Sequence, residues 1–483
     1  MKSKRTRTGQ QALLKLDGQK IFKISDSGGL LSDLGGLSIA ARLTEETGLL
    51  KMAAACIDEW RDPEQVKYEI EELLGQRLFL VAGGKSDAID CSINKKDPAL
   101  VAVLRQEPGS SALASQSTHT RMEQGISSES IGKLEDMPLQ FFFSQQKHAP
   151  QRLTVYVDGL AVRTYGSQQK SIYRGGRKYS QMQYFPIIAT TETGWLLCNK
   201  LRPGSAADGK AVPIIQELAL NIKQRWQATK LTMVMDTGFN SPELLDFFDA
   251  EKIEFECGYP YTSSIGLKIP DVLKEAEVEF RQVYGEPLYT GRDADELWQK
   301  EHERIRGLPA KERMEAEQAM RNRYVRKIVE IMHNGKGWDE DRRLIVRVDF
   351  SDKGLDVRCV VTNKRHGLPE SIYETDYCQR SRIETFIKEN KSHCRVPLSC
   401  QEFTANQFRL AMQGLAYQLL HLMRLELPQK QQAISIATVR RTLLTVPVLI
   451  EVTARRVHWR LSSVHPCTRN VIHMAKKLQR RRA

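Results

Sequence analysis

The chain has 483 residues and a mass of 55.1 kDa, more than one hydrophobic core usually organises, so a single small domain is excluded. Hydrophobic residues make up 41% and charged residues 27%, which excludes wholesale disorder. The net charge is +13, and from Lys430 to Ala483 twelve Lys or Arg face a single acid, Glu451, a basic end suited to a polyanion such as nucleic acid.

No apolar run approaches the roughly 18 residues of a membrane span, and Met1-Lys2-Ser3-Lys4-Arg5-Thr6-Arg7 lacks the apolar segment of a signal peptide. The expectation is a cytoplasmic protein with no membrane partner. The nine cysteines are scattered and contain no Cys-x-x-Cys pair, so reduced thiols are expected rather than disulfides or a zinc ribbon.

In chain order, residues 1–150 read as a helical front region, with helical periodicity over Leu43–Asp58 and Pro63–Val81 and a polar linker from Glu107 to Ser128. Within that linker, Ala114–Arg121 reads as a helix opening that would present hydroxyl donors to phosphate. From 151 to 258 the pattern turns to short strands. Leu153–Asp158, Tyr184–Ala189 and Trp195–Leu201 alternate, with a hairpin at Thr193-Gly194. A helix over Asp208–Trp226, a strand Leu231–Met235, a helix opened by Ser241-Pro242-Glu243 and a strand Ile253–Cys257 follow. Three antiparallel strands followed by right-handed crossovers predict a five-stranded mixed α/β sheet of the ribonuclease H-like kind. Residues 259–374 read as an insertion subdomain, with a charged helical stretch Asp293–Ile331 and a hairpin of Arg343–Phe350 with Asp356–Thr362. Residues 375–429 return to the core with helices Asp376–Lys391 and Thr404–Arg424, and 430–483 read as a basic tail for DNA binding or dimerisation.

Two apolar strands end in an acid, Leu153–Asp158 and Leu231–Asp236, and each acid is followed closely by glycine. As first and fourth strands they would lie side by side, so Asp158 and Asp236 can share a divalent cation. At helical pitch Tyr377, Arg380, Glu384 and Lys391 fall on one narrow stripe. Three acids around two cations suit phosphodiester chemistry. Arg380 would grip phosphate through its planar fork and Lys391 as a point charge, while Tyr377 would hydrogen-bond or stack.

These residues resemble the bacterial insertion-sequence transposases of the DDE type. Tyr377, Arg380, Glu384 and Lys391 fill the tyrosine-arginine-glutamate-lysine signature of the cut-and-paste group. Gly83–Asp90 with Asp97–Leu100, Leu113–Thr118, Thr164–Gln168, Leu201–Gly204, Asp236–Phe239 and Val360–Asn363 are similar to the thirteen-eighty insertion-sequence family. Tyr156, Tyr165 and Thr237 depart from it, standing where relatives often carry an acid, a His and a Ser. The resemblance implies a ribonuclease H-like core interrupted by a β-rich insertion, a helical DNA-binding front region and a nucleoid-associated homodimer. It implies binding of terminal inverted repeats and metal-dependent end cleavage, followed by joining of the 3′-hydroxyls to target DNA. Asp158, Asp236 and Glu384 become ligands of two Mg²⁺ ions, with Mn²⁺ as a substitute. Tyr377, Arg380 and Lys391 become contacts to the end DNA. The basic segment adds Arg455, Arg456 and Arg460 as DNA contacts, and Trp298 or Trp338 would stack on a flipped base. A catalytically silent transposase that only binds DNA, and a ribonuclease H-type nuclease, are the alternatives.

Overall fold

The computed structural model describes residues 11–15, 21–105, 112–175, 181–205, 211–290, 293–379, 385–386, 388–390, 396–453 and 455–481. A hairpin of β1 (Gln11–Lys15) and β2 (Ile21–Ser25) and a short strand β3 (Leu31–Ser32) lead into helices α1 (Leu37–Thr47), α2 (Leu49–Ala55), α3 (Ile70–Ala82), α4 (Ile89–Ile93), α5 (Pro98–Arg105), α6 (Gln116–Gly125) and α7 (Ser128–Gln145). The helix expected over Leu43–Asp58 is split because Gly48 takes a left-handed conformation (φ 71°) that closes α1 and opens α2. The polar stretch expected as a linker contains α6, which buries His119, Met122 and Glu123.

The central sheet has eight strands. Its core is β4 (Arg152–Gly159), β8 (Ile187–Thr191), β9 (Leu196–Lys200), β10 (Lys230–Met235) and β11 (Glu254–Tyr259), and three further strands extend it: β12 (Tyr324–His333), β13 (Arg342–Ser351) and β14 (Gly354–Thr362). The order across it is β12-β13-β14-β11-β10-β4-β8-β9. The strands expected from sequence therefore stand in the order third, second, first, fourth, fifth, with β4, β10 and β11 parallel and β8 and β9 antiparallel to their neighbours. Between β4 and β8 the chain makes a separate three-stranded sheet of β5 (Val162–Arg163), β6 (Ile172–Arg174) and β7 (Gln181–Tyr184), ordered β5-β7-β6.

Alternation explains which face is covered. Val155, Val157, Met233, Met235 and Phe255 enter one core with Ile215, Ala219 and Ile222 of α8 (Val212–Arg225) and with Leu244, Leu245 and Phe248 of α9 (Pro242–Ala250). Ser241 caps α9 by accepting from the Leu244 amide. On the other face the same strands carry Thr154, Tyr156, Thr232, Val234, Glu254 and Glu256, which line a cleft of about 1640 Å³.

After β11 come α10 (Ser263–Gly266), α11 (Pro270–Tyr284), α12 (Ala294–Arg306) and α13 (Ala310–Asn322). The helical stretch expected to reach Ile331 ends earlier, and residues from Tyr324 form β12. Its charged residues are half of a two-sided strand, and Arg326 pairs with Asp349 directly across the ladder at 2.9 Å. The expected hairpin is present as β13 and β14, and β14 joins the edge of β11 rather than standing apart.

The long helix α14 (Phe403–Leu425) is buried on nearly every side and links the front helices to the sheet. A buried ion pair of Arg409 with Glu123, at 2.8 Å, ties it to α6. Beyond it lie α15 (Ile436–Val439), a hairpin of β15 (Val448–Val452) and β16 (Val457–Leu461), and α16 (Thr468–Arg480). These residues, expected as a tail, are folded against the front of the chain. β15 pairs with β3, the Gly35 amide donates to the Val446 carbonyl at 2.7 Å, and the Trp459 indole donates to the Gly35 carbonyl at 2.6 Å. A side chain at Gly36 would collide with the backbone of Leu443 and Leu444, so glycine permits this approach.

Candidate active site

Asp158 and Asp236 are brought together by register. Val157 is paired with Met235 on the parallel strands β4 and β10, and the next residue on each chain is the acid. Adjacent strands run about 4.8 Å apart, so the two carboxylates leave the sheet as neighbours on its polar face, both half-buried. One Asp236 oxygen accepts from the Thr237 amide at 2.6 Å and caps the short turn Thr237–Phe239, whose Phe239 is buried beneath. Turn and strand together fix where this carboxylate points.

Tyr377 follows a wide helical turn over Ser371–Asp376 and opens a single tight turn, Tyr377–Gln379. Its hydroxyl comes so close to β11 that a side chain at Gly258 would meet it at 2.9 Å, and the Thr237 amide at 2.8 Å. Gly258 is thus required beside Asp236. Arg380, Glu384 and Lys391 lie outside the described residues. Of the helix expected to carry them, Phe386 approaches Gly194 at the β8–β9 turn and sits under the Arg424 guanidinium, 5.0 Å from its ring centroid. The buried Glu389 accepts from Arg424 and from the Ile436 amide.

One cation holds the approach to Tyr377. The Lys364 ammonium bridges Glu256, which is 0% exposed in the middle of β11, and Asp376, 2.7 Å away and immediately before Tyr377. Burial pushes the Glu256 carboxyl up to about 7 even with the ammonium against it. Burial alone would lower the Lys364 pKa, but the carboxylates of Glu256 and Asp376 hold it above its usual value. Neither Gly258 nor Lys364 was singled out from sequence. The one signal was position: Gly258 ends an apolar strand and Lys364 follows Val360–Asn363. Tyr156, at the position where the resemblance would place an acid, is buried, and desolvation followed by Glu256, Glu192 and Asp376 raises its phenol pKa.

The remaining candidates are dispersed. Trp338 is 7% exposed and packed between Tyr259 and His333. Trp298 lies half-buried on α12, with the Lys353 ammonium 3.7 Å from its ring centroid and Tyr289 and His302 at its edges. Arg455 and Arg456 are exposed at the β15–β16 turn, and exposed Arg460 pairs with Glu451 at 2.8 Å.

Two neighbouring carboxylates on strand ends are the hard oxygen donors that a small divalent cation takes. Among the described residues no group of three His, Cys, Asp or Glu side chains is placed to hold a metal. Among the described residues, no helix is long and apolar enough to cross a membrane.

Asp158 and Asp236 thus stand at the ends of two neighbouring parallel strands in a large mixed α/β sheet. The family model described as "Transposase DDE domain group 1" matches residues 14–483, and the chain belongs to that family. A comparison with curated proteins returns no match. Among solved structures, the cryo-EM piggyBac transposase synaptic complex with hairpin DNA is similar over 84% of this chain and 79% of its own, with 12% identity and a TM-score of 0.39.

Proposed function

We propose that this transposase binds the terminal inverted repeats of its element, cleaves at the ends and joins the freed 3′-hydroxyls to target DNA, as a homodimer in the synaptic complex. The observation that supports this best is the register match that sets Asp158 beside Asp236 on β4 and β10. In this reading the core is ribonuclease H-like, and Asp158, Asp236 and Glu384 hold two Mg²⁺ ions, with Mn²⁺ as a substitute. Bound there, the ions supply Lewis acidity to the scissile phosphate and lower the pKa of the attacking hydroxyl. Tyr377, Arg380 and Lys391 hold the end DNA and set its phosphate in line with the carboxylates. Arg455, Arg456 and Arg460 add backbone contacts from the folded-back hairpin. Of the two tryptophans, Trp298 is the one with ring surface left to stack on a base, since Trp338 is sealed among aromatic neighbours. A bacterial insertion-sequence origin and a nucleoid location belong to the same proposal.

The test is a joining assay with the purified chain, Mg²⁺ and duplexes carrying the element's ends. Asp158→Ala, Asp236→Ala and Glu384→Ala should each abolish cleavage and joining while end binding persists. In calorimetric titrations each should also lose Mn²⁺ binding. Hydrolysis without joined product would indicate a nuclease instead, and full activity in all three variants would refute the assignment.

A further inference from the structure

The small sheet β5-β7-β6, which the chain makes between β4 and β8, presents a basic and aromatic surface. From Gly159 to Thr191 the sequence holds five Lys or Arg and no Asp or Glu, a second basic stretch apart from the one at the C-terminal end. Arg163, Lys170 and Arg174 are exposed, and none of them forms an ion pair among the described residues. They alternate with aromatic rings. Tyr165 is 60% and Tyr173 62% exposed. The Arg163 guanidinium lies 5.0 Å from the Tyr165 ring centroid, and that of Arg174 5.4 Å from Phe185. Large exposed rings interleaved with unpaired cations suit contact with a sugar-phosphate chain and its bases.

This surface is rigidly mounted. The buried Gln168 donates to the Leu398 carbonyl at 3.0 Å, the Tyr184 hydroxyl to the Gln169 carbonyl at 2.7 Å, and the Gly204 amide to the Lys170 carbonyl at 2.9 Å. The last bond holds Lys170 in a left-handed conformation (φ 60°) unusual for a side-chain-bearing residue. The sheet is also placed at the site. β5 begins four residues after Asp158, and the Leu160 amide donates to the Pro186 carbonyl just before β8.

Joining needs two DNA molecules at one pair of carboxylates. Tyr377, assigned to the end DNA, stands on the Asp236 side against Gly258, whereas the basic sheet stands on the Asp158 side beside β8. We infer that the β5-β7-β6 surface, through Arg163, Tyr165, Lys170, Tyr173 and Arg174, is the seat of target DNA; this rests on the joining function proposed above. Its grip is to backbone and exposed rings, so it is indifferent to sequence.

The test uses the full chain with Mg²⁺ and the triple variant Arg163→Ala/Tyr165→Ala/Arg174→Ala. One arm measures anisotropy of a labelled duplex lacking any end sequence, and another follows joining of a pre-cut end duplex into plasmid. In the triple variant, affinity for the end-free duplex should fall about tenfold or more, and the slope of log affinity against log salt should shrink by about two, one unit per lost phosphate contact. Plasmid joining should fall in parallel while binding to end duplex is kept. Unchanged joining and end-free binding would overturn the inference, and so would an equal loss of end binding, which would make the surface a grip on the end. If the triple variant melts early, the exposed single changes Arg163→Gln and Arg174→Gln carry the same test, each expected to weaken end-free binding about threefold. Should the unaltered chain bind both duplexes yet never join them, the joining function fails, and the anisotropy arm still decides whether this sheet holds DNA.

Discussion

Lys364 occupies a position where one side chain controls two others. Glu256 has no access to solvent and one of its oxygens, Oε2, has no hydrogen-bond partner, so the Lys364 ammonium is its main compensation. Lys364→Met should cost on the order of 3 kcal/mol by urea denaturation. The cost should be larger at pH 8 than at pH 6, because at the lower pH the orphaned carboxyl takes a proton. The unaltered pair also predicts a pH dependence. With its folded pKa raised to about 7, Glu256 binds its proton more tightly in the folded than in the unfolded chain, where a Glu titrates near about 4.3. Its contribution is fully present at low pH and is lost as pH rises through 7. Glu256→Gln should therefore flatten the decline of the urea midpoint between pH 5 and 8. Gly258 makes a second residue-scale prediction. Gly258→Val would strike the Thr237 amide and the Tyr377 hydroxyl together, so end cleavage should fall by about a hundredfold with end binding less affected, checked in the same assays.

At the scale of elements, the insertion is continuous with the core. β14 lies antiparallel to β11, and Asn363 clamps the junction, accepting from the Phe255 amide at 3.0 Å and donating to the Ile253 carbonyl at 2.9 Å. Asn363→Ala leaves both groups without that partner and should cost about 1–3 kcal/mol by urea denaturation. The amides of β13 and β14 should exchange with those of β10 and β11 as one protected unit. The strands β4, β9, β10 and β11 were legible because alternation, flanking turns and the cap at Ser241 all agree locally, whereas the strand expected over Tyr184–Ala189 is divided, Tyr184 ending β7 and Ile187 opening β8 in another sheet. β12 was not, because Arg326, Lys327 and Glu330 look like a helix surface until the partner strand with Asp349 is known. The Lys364 bridge was hidden for a similar reason. Glu256 and Asp376 are 120 residues apart, and only the sheet register brings them to one ammonium.

At the scale of the whole molecule, the basic end serves packing as well as charge. Lys477 and Arg481 of the last helical segment pair with Glu426 at 2.9 and 2.7 Å, and Arg481 also reaches Glu46 of α1. A chain stopped at Pro428 would uncover Leu37, Leu43 and the other apolar residues beneath β15 and α16, and calorimetry should show a lower melting temperature, by about ten degrees or more. Arg455→Ala/Arg456→Ala/Arg460→Ala, confined to the exposed hairpin, should leave melting unchanged while weakening duplex binding and its salt dependence. The pairing of β3 with β15 has a further consequence in time. Ser32 leaves the ribosome long before Val448 is translated, and at about 5–20 residues per second the interval is tens of seconds. Throughout it the front helices lack the strand that closes them, so a nascent chain can already carry Asp158 and Asp236 and still have no finished platform. That three-stranded sheet can be completed only after the β15–β16 hairpin has been translated, and products of interrupted synthesis lack two of its strands.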